Sequence, residues 1–181
     1  MKVSVEKKAQ NREAILAVAG RLLREKGPAG LGVAEVMAGA GMTHGGFYGH
    51  FASREALAAE ALTHALKQTT DYLSKAAANG GLDGFAARYL SAGHLDEIAE
   101  GCAIAATATD IPRQAAQVRE AFAKGLRDYF AAGSPAGADR AEALARLSGL
   151  IGALILARAV ASEDRALAEE LLDAARETGK I

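Results

Sequence analysis

The sequence predicts an all-α fold of about nine helices, and three observations predict it. Half of the 181 residues are apolar, and alanine, the strongest helix former, dominates them. Aromatic residues make up only 5% and β-branched residues are scarce, so strand-forming side chains are few. The apolar residues recur at i, i+3, i+4 and i+7 between glycine and proline breaks, the period of helices that bury one face. The chain is long enough for one large domain or two small ones with a real core.

Each element follows from its local residues. A first helix runs from about Lys8 to Lys26 with Ile15, Val18, Ala19 and Leu22 on one face, and Gly27 followed by Pro28 stops it. A short second helix, about Val33–Ala40, presents Val33, Val36, Met37 and Ala40, and Gly41 ends it in the left-handed conformation. The third spans about His44–His50. Ser53 is a good N-cap for the fourth, with Glu55 in its first turn, and Leu57, Leu62 and Leu66 carry it to about Leu73. The stretch Asn79–Gly84 reads as a loop, followed by a fifth helix with Leu82, Phe85, Ala86 and Tyr89 on one side and Gly93 near its end. A sixth falls near Gly101–Thr109. Pro112 opens the seventh, as proline does at a first helical position, and its face carries Val118, Phe122, Leu126, Tyr129 and Phe130 until GSPAG ends it. The eighth covers about Asp139–Ala161 and the ninth about Asp164–Thr178.

The stretch GMTHGGFYGHF, Gly41–Phe51, combines a helical aromatic spacing with residues that weaken helices. Phe47 and Phe51 sit four apart and anchor one face, and Met42 and Phe47 have the spacing of a hydrophobic staple around an N-cap at Thr43. The opposite face holds His44, Gly45, Gly46, Gly49 and His50, with Tyr48 at its side. Each mid-helix glycine costs about 1 kcal/mol relative to alanine, and a purely structural helix needs none of them. A helix whose backbone lies against another molecule does need them. Helix 2, a tight turn and helix 3 therefore read as a helix-turn-helix whose third helix enters a DNA major groove, its N-terminal N–H groups suited to phosphate.

Charge agrees with that division. Formal net charge is −1, so the whole chain is no evident polyanion binder, but residues 1–55 hold eight Lys/Arg against five Asp/Glu while the remainder holds 13 against 17. The single cysteine, Cys102, excludes an intrachain disulfide and fits a reducing cytoplasm. The N-terminal residues lack the apolar core of a signal peptide, and the longest apolar run, Leu147–Ala157 between Arg146 and Arg158, is too short for a bilayer and reads as a buried helix. No membrane is expected.

The strings REAILAVAGRLLREKG, VAEVMAGAGMTHGGFYGHF and SREALAAEAL resemble the N-terminal domain of the tetracycline-repressor (TetR) family of bacterial transcriptional regulators, over about residues 10–62. GCAIAATATDI and GALILARAV resemble one branch of that family less specifically. The resemblance implies a helix-turn-helix DNA-binding domain at 1–53 and a helical ligand-binding and dimerisation domain at 54–181. It implies phosphate contacts at Thr43, Tyr48 and His50, a contact near phosphate or a base edge at His44, close backbone approach at Gly45, and a backbone contact from Arg54 at the start of helix 4. Gly46 belongs to the same face. Gly32 stands where the family usually has Ser or Thr, and Gly46 and Gly49 replace side chains that often read bases, so direct base readout is expected to be thin, leaving more of the specificity to water, to DNA shape or to the arm with Lys7, Lys8 and Arg12. Lys7 and Lys8 read equally as a solvated terminus.

In the body, Phe85, Tyr89, His94, Cys102, Phe122 and Tyr129 are candidates to line a pocket for a mostly apolar or aromatic effector. The aromatics read equally as core filling. His94 is by default a solvated loop residue. Cys102 is foremost a small core residue, a redox sensor being the alternative. Ala145, Gly149, Ala153, Ala157 and Ala161 form an i, i+4 row of small residues along helix 8. With Ile151, Leu154, Leu167 and Leu171 they predict a homodimer of paired helices 8 and 9, the four-helix bundle that the resemblance implies. No catalytic motif occurs, and no cofactor or metal is expected. The leading reading is a repressor that binds a palindromic double-stranded operator as a dimer and is released by a small molecule. The alternatives are an activator of the same fold, and a helical-bundle enzyme or partner-binding module.

Overall fold

A computed structural model describes residues 5–134 and 139–178. Among these, the chain forms eight α-helices and three short 3₁₀ helices, with no strand. The α-helices are α1 (Val5–Lys26), α2 (Val33–Gly39), α3 (Arg54–Tyr89), α4 (Ala92–Asp96), α5 (Ala103–Thr107), α6 (Ala116–Ala132), α7 (Arg140–Val160) and α8 (Arg165–Thr178). The N-terminal unit packs α1, α2 and a 3₁₀ helix, His44–Gly49, around Ile15, Leu23, Met37, Phe47 and Phe51. The long α3 leaves this unit and becomes the spine of the body. Its Leu66 lies so close to α6 that a β-carbon at Gly125 would fall 2.5 Å from Leu66 Cδ1. α7 and α8 pack on one another and close the bundle.

Four local expectations are corrected. The third helix is 3₁₀ rather than α: His50 N–H donates to the Phe47 carbonyl at 2.9 Å, and three glycines in six residues explain why the looser α-ladder is not sustained. The glycine-rich loop at 79–84 shrinks to a single residue. Gly81, at φ 64 and ψ −173, breaks α3 into two helical stretches, a left-handed value that only glycine adopts without strain. Pro112 opens a 3₁₀ turn, Ile111–Arg113, and α6 begins at Ala116. The expected fifth helix, carried to about Gly93, instead ends at Tyr89, and a separate short helix, α4, continues to Asp96, nucleated by Ser91, whose hydroxyl accepts from His94 N–H at 3.2 Å. Most of the GSPAG break lies outside the described residues.

The other signals read true. Gly41 takes φ 70, with Gly41 N–H bonded to the Ala38 carbonyl and Met42 N–H to the Met37 carbonyl, the paired bonds of a Schellman ending. Ser53 caps α3 and Asp139 caps α7. By length and composition α7 is apolar enough to cross a membrane, but its Leu147, Leu150, Leu154 and Ala157 are buried in the bundle core.

Candidate nucleic-acid interface and ligand cavity

The segment after the Gly41 turn is held from beneath by its aromatics. Phe47 and Phe51 are 2% and 3% exposed and stack with centroids 5.8 Å apart. This anchoring turns the rest of the segment outward. Thr43, His44, Gly45, Gly46, Tyr48 and Gly49 are all exposed, Tyr48 to 75% despite its ring, which meets Phe47 edge-on. Thr43 stands at the N-cap position, but its hydroxyl makes no capping bond. A β-carbon at Gly45 or Gly49 would meet nothing of this chain within 4 Å, and one at Gly46 would make only ordinary contacts with Met37 and Thr43. The bareness of this face is therefore not imposed by internal packing.

Two basic residues assigned to the interface are tied inside the domain. Arg12 donates to the His50 carbonyl and to Glu60, and its guanidinium lies 4.3 Å from the centre of the Phe51 ring. It clamps α1 and α3 to the end of the recognition segment. Arg54 donates to the carbonyls of Leu31 at 2.9 Å, Pro28 at 3.2 Å and Ala29 at 2.5 Å, fastening α3 to the turn before α2. Lys8 is exposed on the first turns of α1. Burial, then the charges of Lys8 and Arg12, push the His50 imidazole below its usual range, and its Nδ1 has no hydrogen-bond partner. Both effects favour the neutral form of His50.

The body contains a cavity of about 490 Å³ between α1, α3, α4 and the start of α5. Phe85, Tyr89, His94 and Cys102 stand at its wall. Phe122 and Tyr129 do not: the face of α6 that carries them packs against the core, Tyr129 is 1% exposed and its ring meets Phe130 at 5.8 Å. His94 lies on α4 rather than in a solvated loop. Its Nδ1 sits 2.6 Å from the Tyr89 carbonyl and Nε2 accepts from Cys102 N–H at 3.1 Å, which fixes the Nδ1–H tautomer. Burial holds its pKa low, aided by Arg158 and opposed by the Tyr89 carbonyl and Glu97. Cys102 is buried and its sulfur caps α5, accepting from Ala105 N–H at 3.5 Å.

The sequence reading missed Arg24, Gln68, Thr69, Tyr72 and Arg88, which also line the cavity. Charges therefore reach a space expected to be apolar. Arg24 had a legible signal: it falls within the buried stripe of α1, Ile15, Ala19, Gly20 and Leu23, where a cation is out of place.

The dimer expectation is also revised. Ile151, Leu154 and Ala157 are buried within the chain, at 8%, 0% and 0% exposure, and cannot form an interface. An i, i+4 row advances about 40° around an α-helix at each step, so the small-residue row starts exposed at Ala145 and Gly149, enters the core at Ala157 and is half-buried at Ala161. The outward face instead follows Ala145, Gly149, Gly152, Leu156 and Ala159, with Leu156 57% exposed and Leu167 of α8 40% exposed. Ala153 and Leu171 are half-buried at its edge. Among the described residues no group of His, Cys, Asp and Glu is arranged to hold a metal ion.

Residues 15–61 match the profile of bacterial regulatory proteins, tetR family. No curated protein sequence matches the chain. Among solved structures, reduced Escherichia coli NemR superposes with a TM-score of 0.77 at 22% identity, covering 94% of this chain and 95% of that one. A TetR transcriptional regulator from Chloroflexus aurantiacus gives 0.69 at 22% identity, with 97% and 94% covered. A TetR-family regulator from Agrobacterium tumefaciens gives 0.69 at 20%, with 94% and 98% covered. At these identities the likeness is one of fold.

Proposed function

From the premise that the chain belongs, through its N-terminal domain, to the tetR family of bacterial regulatory proteins, we propose that it is a repressor that grips a palindromic operator as a homodimer and releases it when a small molecule fills the cavity beside α1 and α3. The family and fold are those of DNA-binding transcription regulators, not enzymes. In this reading residues 1–53 bind DNA in the cytoplasm and residues 54–181 bind effector and partner.

The observation that carries the reading is the bare, exposed face of the recognition segment. Glycines leave its backbone open while Thr43, His44 and Tyr48 project around it. Tyr48 and Thr43 supply hydroxyls for phosphate, His50 a group that charges as phosphate approaches, and Lys8 a flanking cation. With so few base-reading side chains, affinity rests chiefly on the phosphate backbone and on DNA shape. One segment covers too little DNA for a long site, which favours a two-fold assembly with half-sites about 34–36 Å apart or somewhat more.

The test is selection of duplexes from a random pool, followed by affinity measured across salt concentrations. A palindromic consensus is expected, and Tyr48→Phe or His50→Ala should weaken binding almost equally on all sequences, each lowering the salt slope by about one. Failure to enrich any sequence would reject operator binding. Unchanged affinity in both variants would remove those residues from the phosphate contacts. Transcription from a promoter bearing the selected site then distinguishes repression from activation.

A further inference from the structure

Arg24 is a buried charge with no carboxylate to answer it. It is only 5% exposed, and none of its neighbours within ion-pair distance among the described residues is acidic. Its Nη1 donates to the carbonyl of Gly20 at 3.2 Å and of Ala99 at 3.5 Å, and its Nη2 to the carbonyl of Ala65 at 3.4 Å and to Gln68 Oε1 at 3.0 Å. All four acceptors are neutral, and two of the four bonds, to Ala99 and Ala65, are long. Its Nε–H has no partner at all. Glu100, the acid whose charge reaches Arg24, is itself drawn to Arg21 at 3.1 Å, and that pair is largely exposed. An arginine stays charged when buried, and an unanswered buried charge is costly to hold in a fold. This one lines the cavity.

The surroundings define the rest of a ligand. Tyr72, Phe85 and Tyr89 form a run of rings, with centroids 6.0 and 5.1 Å apart along it, and Arg88 adds a second cation at the wall. The acids that reach the cavity, Glu97 and Glu100, are exposed and belong to its rim, as Arg88 does, so Arg24 is the buried charge of the lining. Inside, the charge to be met is positive and the surface to be covered is aromatic.

We propose that the cavity takes an organic carboxylate with an aromatic or apolar body, its carboxylate on Arg24 and its body along Tyr72, Phe85 and Tyr89. The inference rests on the effector-cavity reading above and adds the ligand's chemical class and its point of leverage. Arg24 belongs to the last turn of α1, a helix of the DNA-binding unit, while its present acceptors Ala65 and Gln68 belong to α3. A carboxylate that takes the guanidinium competes with those acceptors. It thereby acts on the α1–α3 contact that sets the recognition segment.

The experiment uses the full chain and two matched probe pairs, 2-naphthoate with 2-naphthamide and 4-phenylbutyrate with 4-phenylbutyramide, followed by calorimetry and thermal shift. At least one carboxylate should bind about tenfold or more tightly than its amide, as charge-assisted bonding to a buried guanidinium requires. Arg24→Gln should abolish that preference and Arg24→Lys should keep part of it. Equal binding of acid and amide, no binding of either carboxylate, or a preference that survives Arg24→Gln overturns the proposal. Should Arg24→Gln fail to fold, the Nε–H resonance of Arg24 in the unaltered protein decides: a shift with carboxylate and not with amide supports the proposal, and no shift overturns it. Operator affinity separates the two readings. Carboxylates that bind through Arg24 without loosening DNA leave this site standing and remove the regulatory reading, whereas neutral compounds that fill the cavity and release DNA keep the regulatory reading and remove this site.

Discussion

Gly45 isolates, in one residue, the difference between folding and recognition. Its φ is not positive, and a β-carbon there would meet nothing of the chain within 4 Å. Gly45→Ala should therefore leave the fold intact or raise stability by about 0.4–1 kcal/mol, because the unfolded chain loses freedom. DNA affinity should nevertheless fall about tenfold or more, since the methyl group would occupy the face proposed to meet the groove. Melting and fluorescence anisotropy on the selected duplex check both halves, and unchanged affinity would mean that nothing approaches that backbone. His94 makes a prediction of the opposite kind, internal and pH-dependent. Its folded pKa lies below the ordinary 6.5, so the unfolded chain binds its proton more readily. Stability is then fully present above that value and falls as pH drops through it, as protonation removes the lone pair that accepts Cys102 N–H. Between about pH 7.5 and pH 5.5 the melting temperature should fall further in the wild-type protein than in His94→Gln. Equal slopes would show that His94 does not titrate in this window.

At the scale of elements, α7 and α8 present the apolar surface that a partner would cover. The outward residues Gly149, Gly152 and Leu156 lie on one face of α7, and Leu167 adds to it from α8. Leu156 is exposed enough for arginine to be tolerated in a single chain, so Leu156→Arg should preserve helicity and melting at low concentration. In a paired interface the same arginine would strand a charge, weakening association by roughly 3 kcal/mol or more and operator binding with it. Sedimentation decides. A variant that remains dimeric places the interface elsewhere. The break at Gly81 acts within α3. It redirects the last turns of α3 so that Phe85 and Tyr89 are buried beside the cavity rather than continuing the line of Gln68 and Tyr72.

For the whole molecule, release is a matter of linkage. If a carboxylate lowers operator affinity a hundredfold, it must prefer the releasing conformation by about 2.7 kcal/mol, and operator must weaken carboxylate binding by the same hundredfold. Titrating 2-naphthoate or 4-phenylbutyrate into the protein with and without saturating operator measures this directly. Identical affinity in the two titrations would exclude coupling for that compound, however tightly it binds. α1 and α3 are suited to transmit the change because each belongs to both places: α1 carries Arg12 at the proposed recognition segment and Arg24 at the cavity, and α3 carries Arg54 and Glu60 at its start and Gln68 and Phe85 at the cavity.

What the sequence by itself determined is the part governed by neighbours along the chain. The helix ends at Gly41, Ser53 and Asp139 and the outward Tyr48 over inward Phe47 and Phe51 follow from spacing and local chemistry, and residues 15–61 alone carry the match to bacterial regulatory proteins of the tetR family. The tertiary structure decided what depends on which helix packs where. It buried Ile151 and Ala157, which spacing and the family resemblance assigned to an interface, and turned Arg12 and Arg54 inward to fasten the domain. It filled the α6 side with Tyr129 and left the cavity to Arg24, Gln68 and Tyr72. The reason is geometric: a helix repeats every 3.6 residues whatever surrounds it, so its sequence fixes which residues share a face. Whether that face meets solvent, core, cavity or a second chain is set by elements far away in sequence.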